Sequence, residues 1–166
     1  EAQLDRFMFN AVIRYLSEDD EVRVVMATTG DEEPTLASVL SGDEILAAQR
    51  LVRRVPMVEE VARYAVRLVD ASRPGQPNSP DFVGRWVKWG ASLRASQSLV
   101  LGGKARALIH GRFHVSVADV RALAPAILRH RIVTNFYAES DGVDADTVVD
   151  RLLETVPAPA SGMSGP

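Results

Sequence analysis

The clearest apolar periodicity is Val58, Val61, Ala62, Ala65, Leu68 and Val69, whose three- and four-residue spacing predicts a helix over about 58–71. Upstream, Ser41 caps a helix expected over about 43–53, with Ile45, Leu46, Ala48 and Leu51 on its apolar side and Pro56 beyond its end. Ser17 followed by Glu18, Asp19, Asp20 and Glu21 is a third helix start, because the hydroxyl caps free N–H groups and the acids complement the dipole. That helix should reach about Ala27, and residues 28–40, with Gly30, an acidic cluster and Pro34, read as a loop. Ahead of it Phe9, Ala11, Ile13 and Tyr15 alternate with Asn10, Val12 and Arg14. A period of two predicts a strand over 9–15, whose sheet partners would come from sequence upstream.

In the second half, residues 72–87 with Pro74, Gly75, Pro77 and Pro80 are expected to form a long loop. Phe82, Trp86 and Trp89 would tack its end onto the core, with stacking on a base as the alternative use of the tryptophans. Ser92 caps a helix that continues to about His110 and carries Leu93, Leu99, Val100, Ala107 and Leu108. Gly102-Gly103 lies inside it, although each glycine costs about 1 kcal/mol relative to alanine, so some other part of the chain should press close there. Gly111 ends this helix and a short extended piece, 113–115, follows. Ser116 caps a helix over 117–128 that Pro125 interrupts late, 132–137 alternates as a strand, and a turn at Asp141-Gly142 leads to a helix over 145–154. From Pro157 on, the composition is that of a disordered tail.

With 166 residues and 46% hydrophobic content the chain can bury a real core. It has no cysteine, which excludes disulfides, thiolate metal sites and thiol catalysis. No apolar run approaches the roughly 18 residues of a spanning helix, so a soluble, cytoplasmic protein is expected. Charge changes the picture more. Arg85, Lys88, Arg94, Lys104, Arg106, Arg112, Arg121, Arg129 and Arg131 face a single acid, Asp119, giving +8 over 85–131 and leaving −11 for the rest of a chain of net −3. A basic block in an acidic chain suggests an anionic partner: nucleotide phosphate, nucleic acid or an acidic protein face. A solvated basic surface is the alternative.

Within that block, Trp89-Gly90-Ala91-Ser92-Leu93-Arg94-Ala95 joins a glycine turn, a cap and a first-turn arginine. A cation there is mildly unfavourable against the helix dipole, and an anion beside it reverses the sign. Free N–H groups at Ala91 and Ser92, the positive dipole end and the Arg94 guanidinium therefore make a candidate phosphate site, beside the alternative of a solvated arginine.

Other motifs fail on their spacing. Gly102-Gly103-Lys104 imitates a phosphate loop, but Ala105 replaces the hydroxyl residue and the segment lies inside a helix. Asp43-Glu44 is a helix start, not a magnesium-binding acid pair following an apolar strand. His110 and His114 have the spacing of helical metal ligands, yet Gly111 breaks the helix between them and no third ligand is evident, so no metal site is expected.

The segments EAQLDRFMF, GASLRAS and KARALIHGRFHVSVADVRALAPAILRHRI, in this order and at these separations, resemble the C-terminal part of a MoxR-type AAA+ ATPase. The resemblance implies a mainly α fold: a helical AAA+ lid bundle with short β segments and, at the N-terminus, a remnant of the α/β core. The implied division is 1–17 core remnant, 18–138 lid, 139–156 C-terminal helix and 157–166 tail. It also implies ATP and Mg2+ in the full-length protein and none bound by this segment alone, because the phosphate loop and magnesium-binding acids are absent from these residues. Carried over by position, Arg6 in Leu4-Asp5-Arg6-Phe7 matches an arginine finger acting on the neighbouring subunit's ATP, and Arg94 matches the sensor 2 arginine. Leu93 stands where the family usually has proline. The implied assembly is a homo-oligomeric ring, a hexamer, and the implied work is chaperone-like maturation or cofactor loading of a client or von Willebrand factor A-type partner. Two other classes stay open: a nucleic-acid-binding helical module using 85–131, and a structural adaptor.

Overall fold

The computed structural model describes residues 3–31 and 35–159. In chain order it has a 3-10 turn at Leu4–Arg6, α1 (Glu18–Thr28), α2 (Gly42–Arg54), α3 (Glu59–Ala71), α4 (Asp81–Trp86), β1 (Val87–Trp89), α5 (Leu93–Ile109), α6 (Val117–Leu128), β2 (Val133–Thr134), α7 (Phe136–Ser140) and α8 (Ala145–Thr155). The mainly helical expectation holds. No helix among the described residues is long and apolar enough to cross a membrane.

The core lies where α3, α5, α6 and α8 converge. Val61, Tyr64, Ala65, Leu68 and Val69 repeat along α3 and are buried, against Leu99 of α5, Val120, Ile127 and Leu128 of α6, and Val148, Val149 and Leu152 of α8. Arg121 ties three of these helices together, donating to the Tyr64 hydroxyl at 3.1 Å and to the Leu153 carbonyl at 2.7 Å. By contrast α1 and α2 bury no residue, although the Ser41–Glu44 capping box fixes the start of α2.

The glycine pair is explained by close approach. A Cβ on Gly102 would lie 3.0 Å from Leu123 Cδ1, 3.3 Å from Phe9 Cζ and 3.4 Å from Met8 Cε. One on Gly103 would lie 2.9 Å from Val115 Cγ1. The helix runs unbroken through both, so α6 and the N-terminal segment seat in a notch that only glycine leaves open.

Three expectations are corrected. Residues 9–15 form no strand: they are largely exposed, and the Asn10 N–H bonds the Ala126 carbonyl at the end of α6 (2.8 Å) instead of a neighbouring strand. The long loop contains α4, because Val83 and Trp86 bury themselves one helical turn apart, and it ends in β1. The strand expected over 132–137 stops at Thr134, where Asn135 caps α7 through Ala138 N–H (3.1 Å) and turns the chain. Residues 113–115, read as a short extended piece, lead from α5 to α6, Val115 donating to the Pro56 carbonyl at 3.4 Å. Among the described residues, what remains of sheet is the antiparallel pair β1–β2, Val87 opposite Thr134 and Trp89 opposite Val133, with a bulge between. Pro125 does not stop α6, which continues to Leu128. Part of the 28–40 loop, and the tail from residue 160, lie outside the described residues.

Asp119 is fully buried beside α5 and accepts from Arg106 at 2.7 Å and from Arg112 at 2.7 Å while closing the Ser116 capping box. Burial opposes its charge, but the Arg112, Ser116 and Arg106 hydrogen bonds prevail and hold the carboxyl well below the usual range. Because its folded pKa is depressed, the stability it contributes is present above the unfolded value near 3.8 and is lost as pH falls through the folded one. Asp119→Ala strands two arginines around a buried gap and should lower unfolding free energy by about 3–5 kcal/mol in a urea titration.

Candidate functional site

The site forms where the 3-10 turn, the start of α5 and the residues after α6 meet. The chain enters α5 pressed against the end of α3: a Cβ on Gly90 would lie 2.3 Å from the Ser72 carbonyl oxygen and 2.6 Å from Arg73 Cα. Buried Ser72 then accepts the Ala91 N–H through Oγ at 3.0 Å, and Arg73 Nε donates to the Ala91 carbonyl at 2.8 Å. Ala91 is thereby a fixing point, its N–H committed within the chain. Ser92 is the cap, its Oγ accepting from Arg94 N–H at 3.2 Å.

An anion does sit at this helix start, and it belongs to the chain itself. Asp5, in the turn that carries Arg6, accepts from Ser92 Oγ at 3.0 Å, from Arg94 at 3.1 Å and from Arg131 Nε at 2.9 Å. Partial burial opposes ionisation of Asp5, and the Ser92 and Arg131 hydrogen bonds and both arginine charges overcome it, so the carboxyl stays below its ordinary range. Arg6 is exposed and makes no ion pair among the described residues. Beside the cluster lies a cavity of about 150 Å3 lined by Asp5, Trp89, Gly90, Ser92, His130, Arg131 and Val133.

The structure thus gathers Ala91, Ser92 and Arg94 at one end of α5 and puts Arg6 within one residue of the same cluster. Sequence reasoning missed Asp5, Arg131 and His130. Asp5 and Arg131 both stand in segments on which the family resemblance rests, where only Arg6, beside Asp5, had a role. His130 Nε2 lies 3.1 Å from the Phe7 carbonyl oxygen and so carries the proton, leaving Nδ1 buried without a partner. The tryptophans divide: Trp86 is buried, donates to Asp141 at 2.7 Å and has Arg151 over its ring, while Trp89 remains 62% exposed at the cavity edge.

The basic block is largely committed inside the chain. Arg106 and Arg112 neutralise Asp119, Arg85 meets Asp141, Arg129 meets Asp146, Arg121 braces α6, Lys104 donates to the Arg53 carbonyl in the last turn of α2, and Arg94 and Arg131 hold Asp5. Guanidinium groups used in this way do not form the continuous stripe that tracks a nucleic-acid backbone. Among the described residues no group of three or more His, Asp or Glu could hold a metal ion.

The AAA lid domain family matches residues 83–152. Over 159 residues the chain is 33% identical to Chaperone MoxR1 of Mycobacterium tuberculosis, an alignment spanning 96% of this chain and 42% of that protein. It is 31% identical over 160 residues to the uncharacterised protein YeaC of Bacillus subtilis, spanning 96% and 47% respectively. A crystal structure of a candidate ATPase from Cytophaga hutchinsonii superposes with a TM-score of 0.87 at 27% identity, covering 96% of this chain and 48% of that one. The chain therefore spans a little under half the length of the relatives it matches.

Two outcomes test this geometry. Gly90→Ala forces a methyl into backbone of α3 and should cost about 1–3 kcal/mol, read as a lower urea midpoint. Burial, with Arg131 and Arg129 alongside, holds the His130 pKa below its ordinary value despite the Phe7 carbonyl and Asp5. The unfolded chain then binds the extra proton more readily, so stability should fall as pH drops below about 6.5, and less so in His130→Gln.

Proposed function

We propose, for a chain that belongs to the MoxR-type AAA+ ATPases and carries their lid, that it works as the nucleotide-responsive lid of an ATP-hydrolysing protein. The observation that carries the reading is the convergence of Ser92 and Arg94, at the N-terminus of α5, on one carboxylate, since the same donors suit a phosphate oxygen. Asp5 is in effect an internal stand-in for that anion. Magnesium is a different matter: its acids would belong to a nucleotide-binding core that these residues do not include, with residues 1–17 as that core's end and the lid running over 18–138 before the C-terminal helix, 139–156.

When bound, ATP supplies the phosphoryl group whose transfer to water releases energy. Arg94 contacts the phosphates, Ser92 keeps the first turn of α5 in register, and Ala91 holds that turn to α3. Arg6 faces outward to a neighbouring subunit and stabilises charge developing on that subunit's nucleotide. Loss of a phosphate contact at Arg94 changes the position of the helical body, which moves as one piece because α3, α5, α6 and α8 share a core.

The assembly we infer is a homo-oligomeric ring, a hexamer, working in the cytoplasm on a client or a von Willebrand factor A-type partner by chaperone-like maturation or cofactor loading. Resemblance to a relative named a chaperone supports this.

In an ATPase-competent protein that carries this chain behind a phosphate-loop core, Arg6→Ala should leave ATP binding nearly unchanged and lower turnover about 10³-fold or more. Mixing with subunits defective in the phosphate loop but retaining Arg6 should restore part of it. Arg94→Ala should weaken nucleotide binding by the loss of a charge-assisted contact worth about 1.5–3 kcal/mol. Normal turnover in both variants rejects the reading.

A further inference from the structure

The Arg131 side chain is 1% exposed, and every one of its five N–H groups has an acceptor. Nε donates to the Asp5 carboxylate at 2.9 Å; one terminal nitrogen serves the Met8 carbonyl at 3.2 Å and the Ile127 carbonyl; the other serves the carbonyls of Asp5 at 3.0 Å and Phe7 at 2.6 Å. Four of the five acceptors lie in residues 5–8, on both sides of Arg6 and not on it. His130 adds a bond to the same Phe7 carbonyl, and Met8 and Phe9 sit in the notch at Gly102.

Pinning a stray N-terminal segment would not require this arrangement. A segment that buries little of its own surface is here shaped by a desolvated guanidinium, and desolvating a charge is unfavourable unless its donors are all matched. The match fixes the backbone through the 3-10 turn, and Arg6 projects from it into solvent. Lysine could not substitute, because one ammonium cannot satisfy acceptors spread across a planar fork.

Asp5 gives this brace a second function. One of its oxygens is held by Arg131 and the other by Arg94 and Ser92. The carboxylate therefore spans from the end of α6 to the start of α5.

We propose that Arg131 is a positioning residue for Arg6 and that Asp5 relays the state of Arg94 to it, a proposal that rests on the nucleotide reading of those two arginines. A phosphate that engages Arg94 and Ser92 releases one side of Asp5 and leaves the carboxylate to Arg131 alone. The turn bearing Arg6 shifts with it, and the nucleotide state of one subunit thereby sets the finger it offers to the next.

Two measurements decide this. In the chain itself, without nucleotide, Arg131→Lys should speed hydrogen exchange of the amides of residues 5–10 by about 10-fold or more while α3 and α8 keep their parent rates. Unchanged exchange over 5–10 overturns the positioning role, whatever the nucleotide does. In the ATPase-competent oligomer, Arg131→Lys should lower kcat by about 10-fold or more with KM for ATP close to the parent value. Subunits defective in the phosphate loop but retaining Arg131 should restore turnover on mixing, which a merely loosened lid would not permit. A raised KM, or a loss that mixing does not repair, overturns the proposal. If Asp5 lies on the same path, the Asp5→Asn, Arg131→Lys double variant should have a kcat within about 3-fold of Arg131→Lys alone, and multiplied losses overturn the relay. Normal turnover in Arg6→Ala instead condemns the nucleotide reading, leaving the exchange result to stand or fall separately.

Discussion

Everything near the site depends on how closely other chain segments can approach α5. Its packed face is made of Ala95, Ser98, Leu99, Gly102, Gly103 and Ala107, and the small side chains admit Leu123 of α6, Val115 and the N-terminal Met8 and Phe9 at contact distance. A helix with larger residues there would hold α6 and the N-terminal segment further off. The Arg131 donors would then no longer reach the carbonyls of Asp5, Phe7 and Met8, because a hydrogen bond weakens rapidly beyond about 3.2 Å. Helix propensity is given up at two glycines so that three chain segments can meet within hydrogen-bond range.

That geometry also explains the charge pattern. A net +8 over 85–131 suggested an anionic partner for the whole block, yet most of its guanidinium groups have partners within the chain. Asp119, the block's single acid, is fully buried with two arginines, and most of the other acceptors are acids and carbonyls from outside the block. The local excess of positive charge is therefore largely an assembly device, and the part with a functional reading is the small set around Asp5.

Helices whose signals are local were legible from sequence. The apolar spacing of α3, the Ser41 cap and the Ser92 cap each place an element to within a residue or two. Elements decided by partners were not. Residues 9–15 alternate like a strand, but alternation reports only that two faces differ, and here the segment lies along the end of α6. Asn135 ends β2 through a side-chain cap that competes with the ladder, so alternation across 132–137 misled. The site was half legible. Arg94 and Ser92 announced themselves by their position in a helix start, whereas Asp5 and Arg131 are 126 residues apart, and nothing in either local pattern tells of the other.

The two arginines on Asp5 hold it unequally. Arg94 is half exposed, and an ion pair of that kind is typically worth about 0–1 kcal/mol because water and salt screen it and two long side chains must be ordered to make it. Arg131 is buried with five bonds, and breaking a buried, fully matched charge costs about 3–5 kcal/mol. A doubly charged phosphate oxygen cluster competing for the α5 N-terminus would therefore detach Asp5 from Arg94 well before it disturbed Arg131. The weak contact can exchange, letting the turn that carries Arg6 shift, while the strong one keeps that turn folded on Arg131. Such an inequality is what a relay needs: two equally strong holds would leave the carboxylate immobile, and two equally weak ones would release the turn altogether.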